Sequence, residues 1–404
     1  MFKQLSTDAI PRSLHGPVLV DSNNIPRYWA TIWSLLTNAD LAPSTRTKKL
    51  RAVEDLYQHV DAVHGAGALD RALGQLDELV LAEALESWFI AISNRPYVSS
   101  ANEIRWQTGL SFITTIHAWK SGGLEPAQRL RNAEARLHRL SQLYRNLHVQ
   151  RPRQRGQIRS LPASVIQGLY SILDPASPEN PFSRTRAKWL AFVAYMLMLH
   201  QGLRRGELLL LTADAIKNGF DHRQQRTRYW LNVQDNPYEG SDVDPRHSRP
   251  SVKTAHSIRQ IPISDSIAAI VDNYVHNYRG RPAHSYLLNS QKNLPLSTES
   301  ITKMFAKAST ALPPHIRQEL RDVTGRSYIT PHDLRHTAAV VRLNQMLGRG
   351  DSMEDALQKL RAFFGWSRSS TMPILYAKAV FQDRLSSVWS DVFDSHVEVL
   401  RAIP

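Results

Sequence analysis

The chain has 404 residues, 42% of them hydrophobic, enough to bury the cores of two or three domains. Its 50 Lys and Arg against 36 Asp and Glu give a formal net charge of +14, which points to a polyanionic partner, most often nucleic acid. With no cysteine, disulfides, thiolate metal sites and a cysteine nucleophile are excluded.

Residues 1–25 carry Pro11, Gly16 and Pro17 with little periodicity and predict a loosely ordered extension without the apolar core of a secretory signal. Residues 26–148 read as an all-helical domain. Pro43-Ser44-Thr45 opens a helix whose Leu50, Val53, Leu56, Tyr57 and Val60 recur at helical spacing. Lys48, Lys49 and Arg51 cluster near its start, either as a solvated face or as a DNA contact. Further helices are expected over 76–92, 100–120 and 126–147, with Trp106 and Trp119 in the core. Residues 149–160 form a basic linker containing Arg151, Arg153, Arg155 and Arg159 beside Pro152 and Gly156. It suits a path along a phosphate backbone or a merely flexible connection.

A second domain is expected over 161–395, with a tail at 396–404. It opens with a short helix near Val165, Leu169 and Leu173, followed by an apolar helix over 186–201. The apolar run from Trp189 to Leu199 is too short to span a bilayer, so a soluble, cytoplasmic protein with no membrane partner is expected. Arg204 and Glu207 begin another helix. Strands are predicted over 228–233 and 258–263, separated by a polar loop at 235–250 that is long for a hairpin. Helices resume at 266–278, 297–310, 331–347 and 351–364, and an amphipathic helix carries Leu385, Val388, Trp389, Val392, Phe393 and Leu400.

The helix at 331 has the clearest chemistry. Thr330 suits an N-cap, Pro331 the first helical position and Asp333 the acid of a capping box. His332, Arg335 and His336 then share one face of the first turn, where backbone N–H groups already favour an anion. A guanidinium adds bidentate phosphate binding. Two histidines at i, i+4 also suit zinc, but no Glu follows the first and Arg335 would set a fixed positive charge beside the metal.

Together, Gly202-Leu203-Arg204-Arg205-Gly206-Glu207-Leu208, Lys253-Thr254, Pro331-His332-Asp333-Leu334-Arg335-His336-Thr337, Gly365-Trp366 and Tyr376 resemble, in order, the motifs of the tyrosine recombinases, the phage-integrase family. The resemblance covers roughly residues 160–395 and implies a mainly α fold with a small antiparallel β-sheet. In that picture an α+β catalytic domain follows an all-helical core-binding domain. By position, Arg204 resembles the first phosphate-binding arginine, selected over Arg205 by the Arg-x-x-Glu spacing, with Glu207 orienting it. Lys253 resembles the lysine between two strands that protonates the leaving 5′-oxygen. His332 and Arg335 resemble the His-x-x-Arg box, and His336 has either a structural or a catalytic role there. Trp366 stands where many relatives have His; it keeps a ring N–H donor but cannot act as a base. Tyr376 resembles the nucleophile; its phenol needs help to attack at neutral pH, and Arg204, Arg335 and Lys253 are expected to favour the phenolate, with His332 as proton acceptor.

The resemblance implies cleavage and rejoining of double-stranded DNA at specific recombination sites through a 3′-phosphotyrosyl link, without metal, cofactor or ATP. It implies a dimer on each site and a tetramer in synapsis, with accessory proteins as further partners and a mobile element as the setting. The C-terminal helix packs either on its own domain or on a neighbouring subunit. A type IB topoisomerase and a non-cleaving DNA-binding relative are the alternative readings. Two departures stand out: a long Trp366–Tyr376 spacing containing Pro373, and the 235–250 loop.

Overall fold

A computed structural model describes residues 2–5, 9, 15–38, 41, 43–94, 100–122, 131–132, 135, 138–139, 160–238, 244–246, 250–252, 255–377 and 380. The chain divides into two compact units, 1–154 and 155–404.

In the first unit, α1 (Tyr28–Ile32) runs into a π-helical turn at Trp33–Thr37, followed by α2 (Pro43–His64), α3 (Ala68–Gln75), α4 (Glu78–Ser93) and α5 (Ser100–Lys120). Leu50, Val53, Leu56, Tyr57 and Val60 of α2 are all buried, in one stripe against Trp88, Phe112 and Ile116 among others. The helix expected from residue 76 starts later because Leu76 ends α3 in a left-handed conformation (φ 57°) and Asp77 caps α4, its side chain accepting from the Val80 N–H at 3.2 Å. The segment expected at 126–147 lies almost wholly outside the described residues.

The N-terminal extension differs from expectation. β1 (Phe2–Leu5) pairs antiparallel with β2 (Gly16–Leu19), Phe2 opposite Leu19, and Val18, Leu19 and Val20 are buried. Four-residue strands leave too little alternation to read, and a two-stranded pair owes its stability to the helices it packs on, which local sequence does not reveal. Trp119 is a second correction: Trp106 is buried, but Trp119 is 55% exposed, packed edge-on against Trp29 at 6.2 Å.

The second unit contains α6 (Ala163–Leu173), α7 (Thr185–His200), α8 (Arg205–Leu210), β3 (Ile216–Asp221), β4 (Arg226–Val233), β5 (Arg259–Ile263) and α9 (Asp265–Asn273) with a π turn at Tyr274–Tyr278. It continues through α10 (Thr298–Ala311), α11 (Pro314–Thr324), α12 (Pro331–Gly348) and α13 (Met353–Phe364). The sheet is antiparallel, in the order β3-β4-β5, with Leu231 opposite both Ile216 and Ile261. The fold is thus mainly helical with a small antiparallel sheet, as the sequence led us to expect. α7 is buried nearly all round, as its unbroken apolar run requires. β3 and α11 had no counterpart in the sequence reading; β3 is an edge strand with no buried position and Asn218-Gly219 at its centre, so it lacks the alternation of a half-buried strand.

The 235–250 loop is anchored rather than free in its described part. Arg246 holds Asp244 through Nε and Nη2, each at 2.7 Å, and its Nη1 donates to the Leu209 and Leu296 carbonyls at 3.2 Å. The Tyr286 hydroxyl donates to the same aspartate at 3.1 Å. No helix among the described residues is long and apolar enough to cross a membrane. The linker up to residue 159 and the amphipathic helix expected at 385–400 lie outside the described residues.

Candidate active site

α7 ends at His200, and Gly202 just beyond it, at a φ of 58°, takes the left-handed conformation that turns the chain out of the helix. The next turn starts at Arg204, the N-cap of α8. Arginine has no acceptor, so only the acidic half of a capping box forms: Glu207 accepts the Arg204 backbone N–H at 3.0 Å and the Arg204 Nη1 at 2.5 Å. Arg204 also donates to Ser257 Oγ at 3.1 Å.

Glu207 is 1% exposed and is the hub of the site. Its Oε2 also takes Arg259 Nη2 at 3.0 Å and lies 3.7 Å from Arg335 Nη1. Burial by itself would raise the Glu207 carboxyl. Arg259 and Arg335, with the Arg259 hydrogen bond and Arg204, outweigh burial and hold it below the ordinary carboxylate range. Three guanidiniums against one carboxylate leave a surplus of positive charge at the site.

Arg335 enters from α12. Thr330 donates its backbone N–H and hydroxyl to Asp333 at 2.8 and 2.7 Å, the capping arrangement expected from Thr-Pro-His-Asp. One turn later Arg335, 2% exposed, donates to the Gly202 carbonyl at 2.5 Å and the Phe364 carbonyl at 2.6 Å. It lies over the Phe364 ring at 4.9 Å and the Trp366 ring at 5.7 Å. Burial pulls its guanidinium down to about 9 against the attraction of Glu207, and it remains charged at neutral pH.

α13 stops at Gly365, left-handed at φ 60°, where a Cβ would come within 2.7 Å of the His256 carbonyl. That close approach aims Trp366 inward. The Trp366 ring stacks between Phe364 (4.9 Å, 12°) and Tyr376 (5.4 Å, 13°). After a turn at 368–369, residues 372–377 are helical, and Pro373 lies in the first turn, where a missing N–H costs nothing. The proline that departs from the family spacing therefore starts the helix that carries Tyr376.

The Tyr376 side chain is buried, and its hydroxyl lies 2.6 Å from Nδ1 of His336. His336 in turn meets the ring of exposed His332 edge-on at 4.3 Å. Burial pushes the phenol above its ordinary value; Arg335 and Arg204 pull the other way and are outweighed. The phenol is therefore protonated at neutral pH and donates to His336 whenever Nδ1 is bare.

The structure brings Arg204, Glu207, Arg335, His336, Trp366 and Tyr376 into one cluster, with His332 at its exposed edge. Lys253 and Thr254 lie outside the described residues, as do Arg151, Arg153, Arg155 and Arg159. Lys48 and Arg51 are exposed on α2, whereas Lys49 donates to Asn38 Oδ1 at 2.8 Å and covers the Trp33 ring. No group of three His, Asp or Glu placed to hold a metal occurs among the described residues. Arg259 was missed by sequence reasoning. A signal existed: strand alternation puts Arg259 on the same face as buried Ile261 and Ile263, and a guanidinium on an inward face needs an acid.

A model of the phage integrase family matches residues 161–382. Among solved structures, the chain is similar to a crystal structure of XerA recombinase, at 15% identity over 83% of this chain and 98% of that one (TM-score 0.35). It is also similar to XerH site-specific recombinase bound to a palindromic difH substrate in a post-cleavage complex, at 12% identity over 89% and 84% of the two chains (TM-score 0.52). At that score the XerH structure shares the fold. No curated protein is matched by the chain.

Proposed function

The chain belongs to the phage integrase family of tyrosine site-specific recombinases, and we propose that it cuts and rejoins double-stranded DNA through a 3′-phosphotyrosyl link on Tyr376. What carries the reading is one relationship: Arg335, set beside Arg204 at the Glu207 carboxylate, faces the Trp366 ring on which the Tyr376 phenol stacks. A phosphodiester bound by the two guanidiniums then lies within reach of a nucleophile. The net charge of +14 supports a polyanionic substrate, and XerH, which shares the fold, is described as a site-specific recombinase bound to a palindromic difH substrate.

The chemistry follows from charge. A free phenol ionises at about pH 10, and burial moves Tyr376 further from ionisation. An arriving phosphate brings more negative charge, so attack needs a base in contact with the hydroxyl. His336 is at that position, and His332 beside it offers a route for the proton to solvent. The Tyr376 oxygen bonds to phosphorus as the bond to the 5′-oxygen breaks. Arg204 and Arg335 stabilise charge on the non-bridging oxygens. Lys253, by its place in the family pattern, gives the leaving oxygen its proton. Attack by a 5′-hydroxyl of a second strand reverses these steps, so the bond energy is kept. The helical unit and the basic linker would add contacts to the DNA backbone, with four subunits joining two sites of a mobile element.

The test is covalent trapping. The protein is mixed in EDTA with an element-end duplex nicked beside the cleavage point and run on a denaturing gel, with Tyr376→Phe alongside. The expected result is an adduct with wild type that is lost in the variant. Tight binding with no adduct would support the non-cleaving alternative; an adduct surviving in Tyr376→Phe would assign the wrong tyrosine.

A further inference from the structure

We propose that Arg259 is a positioning residue for strand cleavage, holding Glu207 so that Arg204 and Arg335 remain available to the scissile phosphate. The proposal rests on the reading of Tyr376 as nucleophile. Arg259 uses its whole fork inside the protein. Nη2 donates to Glu207 Oε2 at 3.0 Å, Nε to the Phe363 carbonyl at 2.8 Å and Nη1 to the Ser257 carbonyl at 2.6 Å. Because Nε, Nη1 and Nη2 all donate to protein oxygens, Arg259 is not itself placed to take a substrate.

These bonds join three segments distant in sequence. Glu207 lies on the helix that Arg204 opens. Ser257, whose carbonyl accepts from Arg259, offers its hydroxyl to Arg204. Phe363 and Phe364 present consecutive carbonyls, one to Arg259 and the next to Arg335, just before the turn into Trp366. Arg259 thus braces the backbone from which both phosphate-facing arginines and the nucleophile's stack are hung.

The more specific consequence is electrostatic. Glu207 Oε2 is filled by Arg259 and by the Arg204 backbone N–H, while Arg335 stands back at 3.7 Å. With Arg259 gone, that oxygen would be open to Arg335. A direct buried pair would form, and the guanidinium would be neutralised and turned from the site. Arg259 keeps the acid occupied so that Arg335 is held near it but not consumed by it.

The experiment measures single-turnover adduct formation on the nicked duplex with either an ordinary scissile phosphate or a methylphosphonate, which lacks one negative oxygen. Arg259→Gln is expected to slow adduct formation about 100-fold on phosphate, with duplex binding unchanged within about threefold, and by far less on the neutral methylphosphonate, where the arginines matter less. Arg259→Lys, which keeps the charge but not the fork, should fall between and serves if the Gln variant is unfolded. In a Glu207→Gln background the Arg259 substitution should add little. Wild-type rates in both Arg259 variants, equal losses on both substrates, or losses that multiply with Glu207→Gln would each overturn the proposal. Absence of any adduct with wild-type protein would instead overturn the assignment of the nucleophile.

Discussion

The hydroxyl of Tyr376 lies 2.6 Å from Nδ1 of His336, although the two residues are 40 positions apart in sequence. The second histidine of the His-x-x-Arg-His box therefore meets the phenol directly. If it accepts the phenolic proton, His336→Ala should lower single-turnover adduct formation by about 100-fold or more. His336→Asn, whose amide oxygen falls near the place of Nδ1, should retain more activity than Ala. Equal rates for wild type and both variants would return His336 to a purely structural role.

Glu207 is predicted to govern stability as well as geometry. Glu207→Gln removes the carboxylate that three guanidiniums share, leaving buried positive charge uncompensated, and should destabilise the protein by about 3–5 kcal/mol. The pH dependence has a definite sign. Its carboxyl is held below the ordinary value in the folded state, so its contribution is fully present above the unfolded value of about 4.3 and is lost as pH falls through the lower folded value. Denaturant unfolding of wild type should weaken across that acid window. The Glu207→Gln variant should lose that part of the pH dependence; parallel curves for the two proteins would contradict the assignment.

Gly202→Ala should be disruptive out of proportion to its size. The residue sits at φ 58°, and an added Cβ would come within 2.3 Å of Phe364 Cε1, while its own carbonyl accepts from Arg335. Backbone strain and overpacking together predict a loss of about 2–4 kcal/mol. Adduct formation should fall too, because relieving the clash with Phe364 shifts the residue 202 carbonyl that accepts from Arg335. Thermal unfolding and the trapping assay on the same preparation check both halves.

Trp366 separates two roles. Its ring lies parallel between Phe364 and Tyr376, so its stacking is as prominent as its N–H. Trp366→Phe keeps a ring in the stack and removes the donor; Trp366→Ala removes both. If stacking is what orients the phenol, Phe should keep adduct formation within about tenfold of wild type and Ala should lose about 100-fold or more. If the N–H reaches the phosphate, the two variants should be equally impaired.

What the sequence settled about this protein is what depends on neighbours along the chain. The Thr330–Asp333 cap, the Arg204–Glu207 pairing and the shared face of His332, Arg335 and His336 follow from helical spacing over three or four residues. The buried stripe of α2 and the apolar length of α7 are legible for the same reason. Motif order then disclosed the family. Tertiary structure decided which of these residues meet. Arg335 is held by a carbonyl 133 positions away, Arg259 by an acid 52 positions away, and the extension's strands by a pairing and a helical core that no local pattern displays. Such contacts depend on how separate elements pack, and a one-residue change of register or a different helix crossing would alter them without altering any motif. That is why Tyr376 could be singled out from its order among the motifs, whereas its protonated, stacked state against His336 and Trp366, and the bonds of Arg259 to Glu207, Ser257 and Phe363, emerged only from the folded chain.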